Sequence, residues 1–225
     1  MKYRTGFLAV AAIAAAAGAA PTTIGWNQVV GLGADGSHVL GNPAAPVKLT
    51  EYISYTCPHC AQFTRESEGP LRIGYISTGK VSLEVRHLLR DPIDLTVAML
   101  ANCGPKEKFF LNHSAFMRSQ ATWMKPLLEA SQAQKQRWIT GTLAQRNQAI
   151  ASDFHLYAIM QSRGYDRIAT DRCLADAALA QRLGKQAQQG YSLGVRSTPA
   201  FTINGQLLAN TSEWSELRPQ IDASM

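Results

Sequence analysis

The chain has 225 residues, 46% of them hydrophobic and 17% charged, with a formal net charge of +6. That length suits one good-sized domain, or a small domain carrying a large insertion. The Lys and Arg residues are scattered and form no stripe interleaved with aromatics, which argues against a nucleic-acid partner.

The first twenty residues, MKYRTGFLAVAAIAAAAGAA, set Lys2 and Arg4 ahead of an uncharged Ala-rich run that ends in small residues before Pro21. This is the pattern of a cleaved secretory signal; as a membrane-spanning helix the run from Phe7 to Ala20 is too short. Without residues 1–20 the net charge falls to +4, from 20 basic and 16 acidic residues. Export, here expected to the periplasm, changes the meaning of the four cysteines, because disulfides persist outside the cytoplasm. Cys57, Cys60, Cys103 and Cys173 allow three pairings. The C-x-x-C spacing favours Cys57 with Cys60, which leaves Cys103 with Cys173, but spacing alone does not decide the matter.

Residues 21–45 are rich in Gly and Pro and are expected to form a flexible leader. The run Val47 to Tyr55, VKLTEYISY, is β-prone and reads as a buried strand. Thr56 can cap a helix that begins at the cysteine pair, with Pro58 in its first turn, where a missing N–H costs nothing. The helix is expected to bend or restart at Gly69-Pro70. A second strand, Val81 to Leu89, follows, and a strand–helix–strand order implies a parallel pair joined by a right-handed crossover. From Asp94 to about Gln189 the spacing turns helical, predicting four to six helices within an inserted domain over 91–189. After Gly190 an AFTI run, an Asn204-Gly205 turn and a further apolar stretch mark a hairpin, and Ser212 is a candidate cap for a last helix. Residues 46–90 and 190–224 would then form one α/β domain, interrupted by the helical insertion.

The chemistry concentrates in CPHC, residues 57–60. A cysteine at a helix N-terminus meets unpaired N–H groups and the positive end of the helix dipole, which stabilise its thiolate. Cys57 is therefore the expected attacking thiol and leaving group, assisted by His59, and Cys60, one turn inside, the resolving thiol. A lowered thiolate pKa also stabilises the reduced pair, so that the disulfide form acts as an oxidant. Glu51, six residues before Cys57 on the buried strand, is a candidate proton acceptor for Cys60; an edge-facing surface glutamate is the other reading. Zinc would need four ligands, and His87, His113 and His155 are isolated, so no metal or other cofactor is expected. A purely structural two-residue disulfide loop would be strained and would gain little from chain entropy. Redox exchange is the reading these comparisons leave in front.

The second landmark is GVRSTPAF, residues 194–201, where Pro199 enters a β-prone run and so marks a strand start or edge. Taken with CPHC, the order of elements resembles the secreted thioredoxin-fold oxidoreductases of the DsbA family, over roughly Gly41 to Ile221. The resemblance implies a thioredoxin fold with a large inserted helical subdomain, Cys57 as attacking and Cys60 as resolving thiol, a cis proline at Pro199 facing the pair, and Glu51 as the buried acid. It further implies a second disulfide between Cys103 and Cys173, unfolded exported polypeptides as substrates, and a membrane quinone-linked thiol oxidase of the DsbB type as the recharging partner. Thr198 departs from the valine carried there by the best-known enterobacterial member and matches relatives that reduce or isomerise disulfides. The direction of exchange is thus open at this level, between a donor of disulfides and a reductase or isomerase.

Overall fold

A computed structural model describes residues 1–2 and 25–225, and the expected signal segment lies, from residue 3 onward, outside the described residues. Among the described residues six strands form one sheet: β1 (Val30–Leu32), β2 (His38–Gly41), β3 (Val47–Ile53), β4 (Val81–His87), β5 (Ala200–Ile203) and β6 (Gln206–Leu207). Their spatial order is β1-β2-β4-β3-β5-β6. Every residue of β3 except Lys48 is buried, the pattern of a central strand covered on both faces. It pairs in parallel with β4 and antiparallel with β5. Asn204 and Gly205, with φ of 51° and 84°, close the β5–β6 hairpin; both central positions of a type I′ turn require such positive angles.

The expectation of a flexible leader over 21–45 is corrected from Gly25 onward. Trp26–Gln28 make a 3-10 turn, and β1 and β2 form a hairpin whose second strand pairs antiparallel with β4. The glycines mark turns and a close approach here. Gly41, at φ 112°, passes so near β4 that a Cβ would meet the Val81 carbonyl at 3.0 Å.

Helix α1 (Pro58–Pro70) runs into a π turn over Leu71–Tyr75 and a 3-10 turn over Ile76–Thr78. The bend expected at Gly69-Pro70 is absorbed by that wider turn, since π geometry relaxes the ladder where Pro70 supplies no N–H. Then come α2 (Pro92–Ala101), α3 (Phe109–Arg118), α4 (Gln120–Trp123), α5 (Pro126–Glu129), α6 (Gln132–Arg137), α7 (Leu143–Asp153), α8 (Leu156–Ser162), α9 (Arg167–Leu174) and α10 (Ala177–Ser192). The block thus holds nine α-helices where four to six were expected. The surplus comes from short pieces, among them α4 and α5 of four residues each and α6 and α7 opened by the Ser131 and Thr142 capping boxes. Helix α2 is apolar nearly all round and packs against α3, α7, α9 and α10 as the centre of the insertion. The expected boundary at residue 189 falls inside α10, which also packs on β4; its Gly190 lies so close to Tyr52 and Leu88 that a Cβ would sit 3.1 Å from Leu88. The last helix, α11 (Trp214–Ala223), is capped by Glu213 and not by Ser212, whose N–H instead donates to Glu216 Oε2 at 2.8 Å.

An aromatic and histidine cluster joins sheet to insertion. His38 of β2 stacks on Phe109 of α3 at a centroid distance of 3.9 Å, and His113 Nδ1 lies 3.0 Å from the Tyr55 hydroxyl. His87 of β4 sits between them, its Nε2 3.1 Å from Asn102. Burial is the leading cause that lowers all three histidines, to about 4, 3 and 4 for His38, His87 and His113. A histidine held neutral in the fold but free to charge when unfolded stabilises fully above its unfolded value of 6.5, and that stability is lost as pH falls toward the folded value. Urea unfolding from pH 7 to pH 5 is expected to lose on the order of 2 kcal/mol per histidine. The change is read against His113→Gln, in which the loss should be smaller by that amount; an equal pH dependence in the two proteins would show that His113 does not titrate as described.

Candidate active site

β3 delivers the chain to a short turn in which the Cys57 N–H donates to Ser54 O at 3.2 Å, and α1 starts directly after it. Cys57 itself occupies the cap position, with φ −89° and ψ 116°, and Pro58 follows at the first helical residue. Thr56, expected as the cap, donates its hydroxyl to Asp91 Oδ2 at 2.7 Å, because one more residue of extended backbone is used before the helix begins. Cys57 is 2% exposed and Cys60 fully buried, both as free thiols. The Cys57 thiol donates to the Thr198 carbonyl at 3.1 Å, and Thr64 Oγ1 donates to the Cys60 carbonyl at 3.0 Å. The peptide bond between Thr198 and Pro199 is cis. Residues 141 positions apart therefore meet at one sulfur.

The two thiols are made unequal by their surroundings. Cys57 is lowered to about 5, first by the hydrogen bond from the Cys60 side chain, with the Thr198 side chain and the N–H groups of Cys60 and His59 adding to it against burial. Cys60 is pushed well above the ordinary thiol range, first by burial, then by its bond to Cys57, with the charges of Cys57 and Glu51 contributing. Of His59, it is the backbone N–H that supports the Cys57 thiolate; its imidazole is exposed, since the second residue of the helix points away from the core.

Glu51 lies opposite Val85 and Phe201 in the two flanking strands, so it is a core residue and not an edge one. Its Oε1 has no hydrogen-bond partner among the described residues, and burial raises its carboxyl to about 8. It borders a cavity of about 30 Å³ shared with Thr64, Ser67, Glu68, Arg72 and His113, which is room enough for a water molecule. A neutral Glu51 costs the fold no charge burial below its unfolded value of 4.5; the penalty grows as pH rises and levels off near 8. Glu51→Gln is accordingly expected to stabilise the reduced protein by on the order of 3 kcal/mol more at pH 7 than at pH 4. It should also remove an inflection near pH 8 from the exchange rate; equal stabilisation at both pH values, read by urea unfolding, would contradict the buried charge.

Three supporting residues have no sequence signature that ties them to this site. Gln120 of α4 reaches in from the insertion, its Nε2 donating to the carbonyls of Tyr55 at 2.6 Å and Cys57 at 2.8 Å. Asp94 accepts from the N–H groups of Tyr55 at 2.7 Å and Arg90 at 3.1 Å, and Asp91 caps α2 while holding Thr56. An Asp three residues before another Asp at a Pro-led helix start signals a cap, but nothing in the sequence ties it to Thr56. Away from the site, Cys103 and Cys173 are disulfide-bonded, closing the chain between the end of α2 and α9 with a Cα separation of 5.6 Å.

A dithiol whose first sulfur sits at a helix start and bonds to the carbonyl that precedes a cis proline defines a thiol:disulfide exchange site on a thioredoxin fold. Comparison with known proteins agrees. The thioredoxin family model matches residues 34–223, and the chain belongs to that family. The crystal structure of a protein-disulfide isomerase from Novosphingobium aromaticivorans is 53% identical, with a TM-score of 0.81 over 84% of this chain and 97% of that one. The α-DsbA1 structure of Wolbachia pipientis is similar in fold, at 24% identity and a TM-score of 0.68 over 85% of this chain and 92% of that one. A Rickettsia prowazekii protein named "Putative protein-disulfide oxidoreductase" is 36% identical over 90 residues, 40% of this chain. The chain spans only 33% of the length of that curated relative.

Proposed function

We propose that the protein is a periplasmic protein-disulfide oxidoreductase that donates the Cys57–Cys60 disulfide to unfolded exported polypeptides. The observation that carries this reading is the asymmetry of the pair: an acidic Cys57 at the cleft and a high-pKa Cys60 behind it. A substrate thiolate attacks Cys57 Sγ in the oxidised protein, forming a mixed disulfide and releasing Cys60 as a thiolate that takes up a proton, with Glu51 within electrostatic reach. A second substrate thiolate then attacks the substrate sulfur, and Cys57 leaves as the better leaving group. Two electrons pass from substrate to enzyme, and the reduced pair is recharged by a quinone-linked membrane thiol oxidase of the DsbB type. Thr198 precedes β5, before the first ladder pair at Ala200, so an extended substrate segment can lie beside it as an added strand.

One observation favours a second reading. The Novosphingobium relative is called a protein-disulfide isomerase, and an isomerase or reductase would be kept reduced by a membrane thiol donor. Equilibration of the pair with reduced and oxidised glutathione separates the two directions. The donor reading expects the dithiol form to persist under mildly oxidising mixtures, together with a thiolate absorbance midpoint near pH 5. A strongly reducing pair with an ordinary thiol pKa would sink it.

A further inference from the structure

Cys57 opens onto a cleft of about 410 Å³ whose walls include Leu88, Arg90, Tyr191, Arg196 and Thr198. Among the described residues no carboxylate lines this cleft, and both arginines are exposed. Among the described residues neither guanidinium takes part in an ion pair. The adjacent acid, Asp91, is turned inward: Oδ1 accepts from Asp94 N at 2.8 Å and Oδ2 from Thr56. Its charge is thus committed to the helix cap.

Arg196 is also held in place. Its Nη1 donates to the carbonyls of Tyr191 and Val195, and Tyr191 in turn donates its hydroxyl to Leu89 O at 3.4 Å. Nε and Nη2 have no partner among the described residues and can serve a carboxylate. A guanidinium fixed along one edge loses less freedom when its other donors bind an anion. Arg90 has its backbone fixed through Asp94 Oδ2, and among the described residues its side chain has no partner.

We propose that Arg90 and Arg196 select substrate segments that carry carboxylate side chains beside the reacting cysteine. This rests on the reading of Cys57 as the site of disulfide donation. Opposite charge across an exposed contact acts mainly by steering encounter and fixing register, so selection appears in the rate of mixed-disulfide formation and weakens with salt. The acidic flank would approach Arg196 and Arg90 while the cysteine reaches Cys57 beside Thr198.

The test uses the oxidised protein and three reduced two-cysteine peptides, identical except for Asp, Ser or Lys flanking the cysteines, with initial rates of oxidation read at low and high salt. The Asp peptide is expected to react about five- to tenfold faster than the Lys peptide at low salt, the ratio falling toward one at high salt. In Arg90→Glu/Arg196→Glu the ratio should invert. Arg90→Glu alone, which breaks no hydrogen bond among the described residues, should bring the ratio close to one, and serves if the loss of the Arg196 backbone bonds prevents folding. Equal rates for the Asp and Lys peptides, with the Ser peptide oxidised, would overturn this inference alone, as would a ratio unchanged in Arg90→Glu. A Ser peptide left unoxidised by the unaltered protein would overturn the donation reading and this inference with it.

Discussion

Replacing Cys57 by Ser is expected to lower disulfide exchange by a factor on the order of 10³ or more, because among the described residues no other sulfur lines the cleft. Replacing Cys60 by Ala has a different expected result. Cys57 then still attacks a disulfide probe, but the mixed disulfide has no resolving thiol and accumulates, which mass spectrometry under non-reducing conditions detects. The rate of that attack should fall about tenfold per pH unit below the Cys57 pKa, which the loss of the Cys60 hydrogen bond raises above the value of about 5 held in the unaltered protein. The same shift makes a statement about stability. A thiol lowered in the fold stabilises the reduced protein fully above its ordinary value of 9.0, and that stability is lost as pH falls through about 5. At pH 7 the reduced protein should therefore resist urea better than the oxidised one, with the gap closing toward pH 5. Equal trapping by Cys57→Ser and Cys60→Ala, or a gap that widens in acid, would refute the assignment of roles.

The second large effect is expected away from the chemistry. Cys103 and Cys173 close a loop of 70 residues, and chain entropy assigns such a cross-link about 4 kcal/mol. The double replacement by Ala should lower the unfolding free energy by that order, with a melting midpoint falling by about 10 °C. The measurement compares both proteins with Cys57 and Cys60 reduced, so that only the second bond differs. A change under about 1 kcal/mol would mean that the unfolded insertion is already compact.

Where a segment's fate depends on its own residues, the sequence could be read directly. VKLTEYI and VSLEVRH are β-prone segments that form the central strands, Asn204-Gly205 closes its hairpin, and CPHC announces its chemistry because a helix start acts on a thiol through local backbone groups. The N-terminal hairpin was not legible, because β1 has three residues and gains its stability from β2 and β4 and not from its own pattern. Thr56 and Ser212 lost their expected cap roles to residues one position on, each drawn away by a carboxylate that local pattern does not weigh: Asp91 from 35 residues away and Glu216 from the next turn. The helical block could be recognised but not divided, since Ala, Gln, Leu and Arg continue across its breaks. Glu51 could be placed in the core by its neighbours in sequence, whereas its lack of a partner depends on Val85 and Phe201 standing opposite.

Gln120 belongs to the insertion, yet two of the carbonyls that frame Cys57 are satisfied by its amide. The sheet and the helical block are for this reason poor candidates for separation. A minimal version of the protein made by deleting residues 91–189 would retain CPHC and lose the donor that fixes the turn leading into it. The same bond ties the two parts in the other direction: a movement of α4 would be felt directly at the backbone of Cys57.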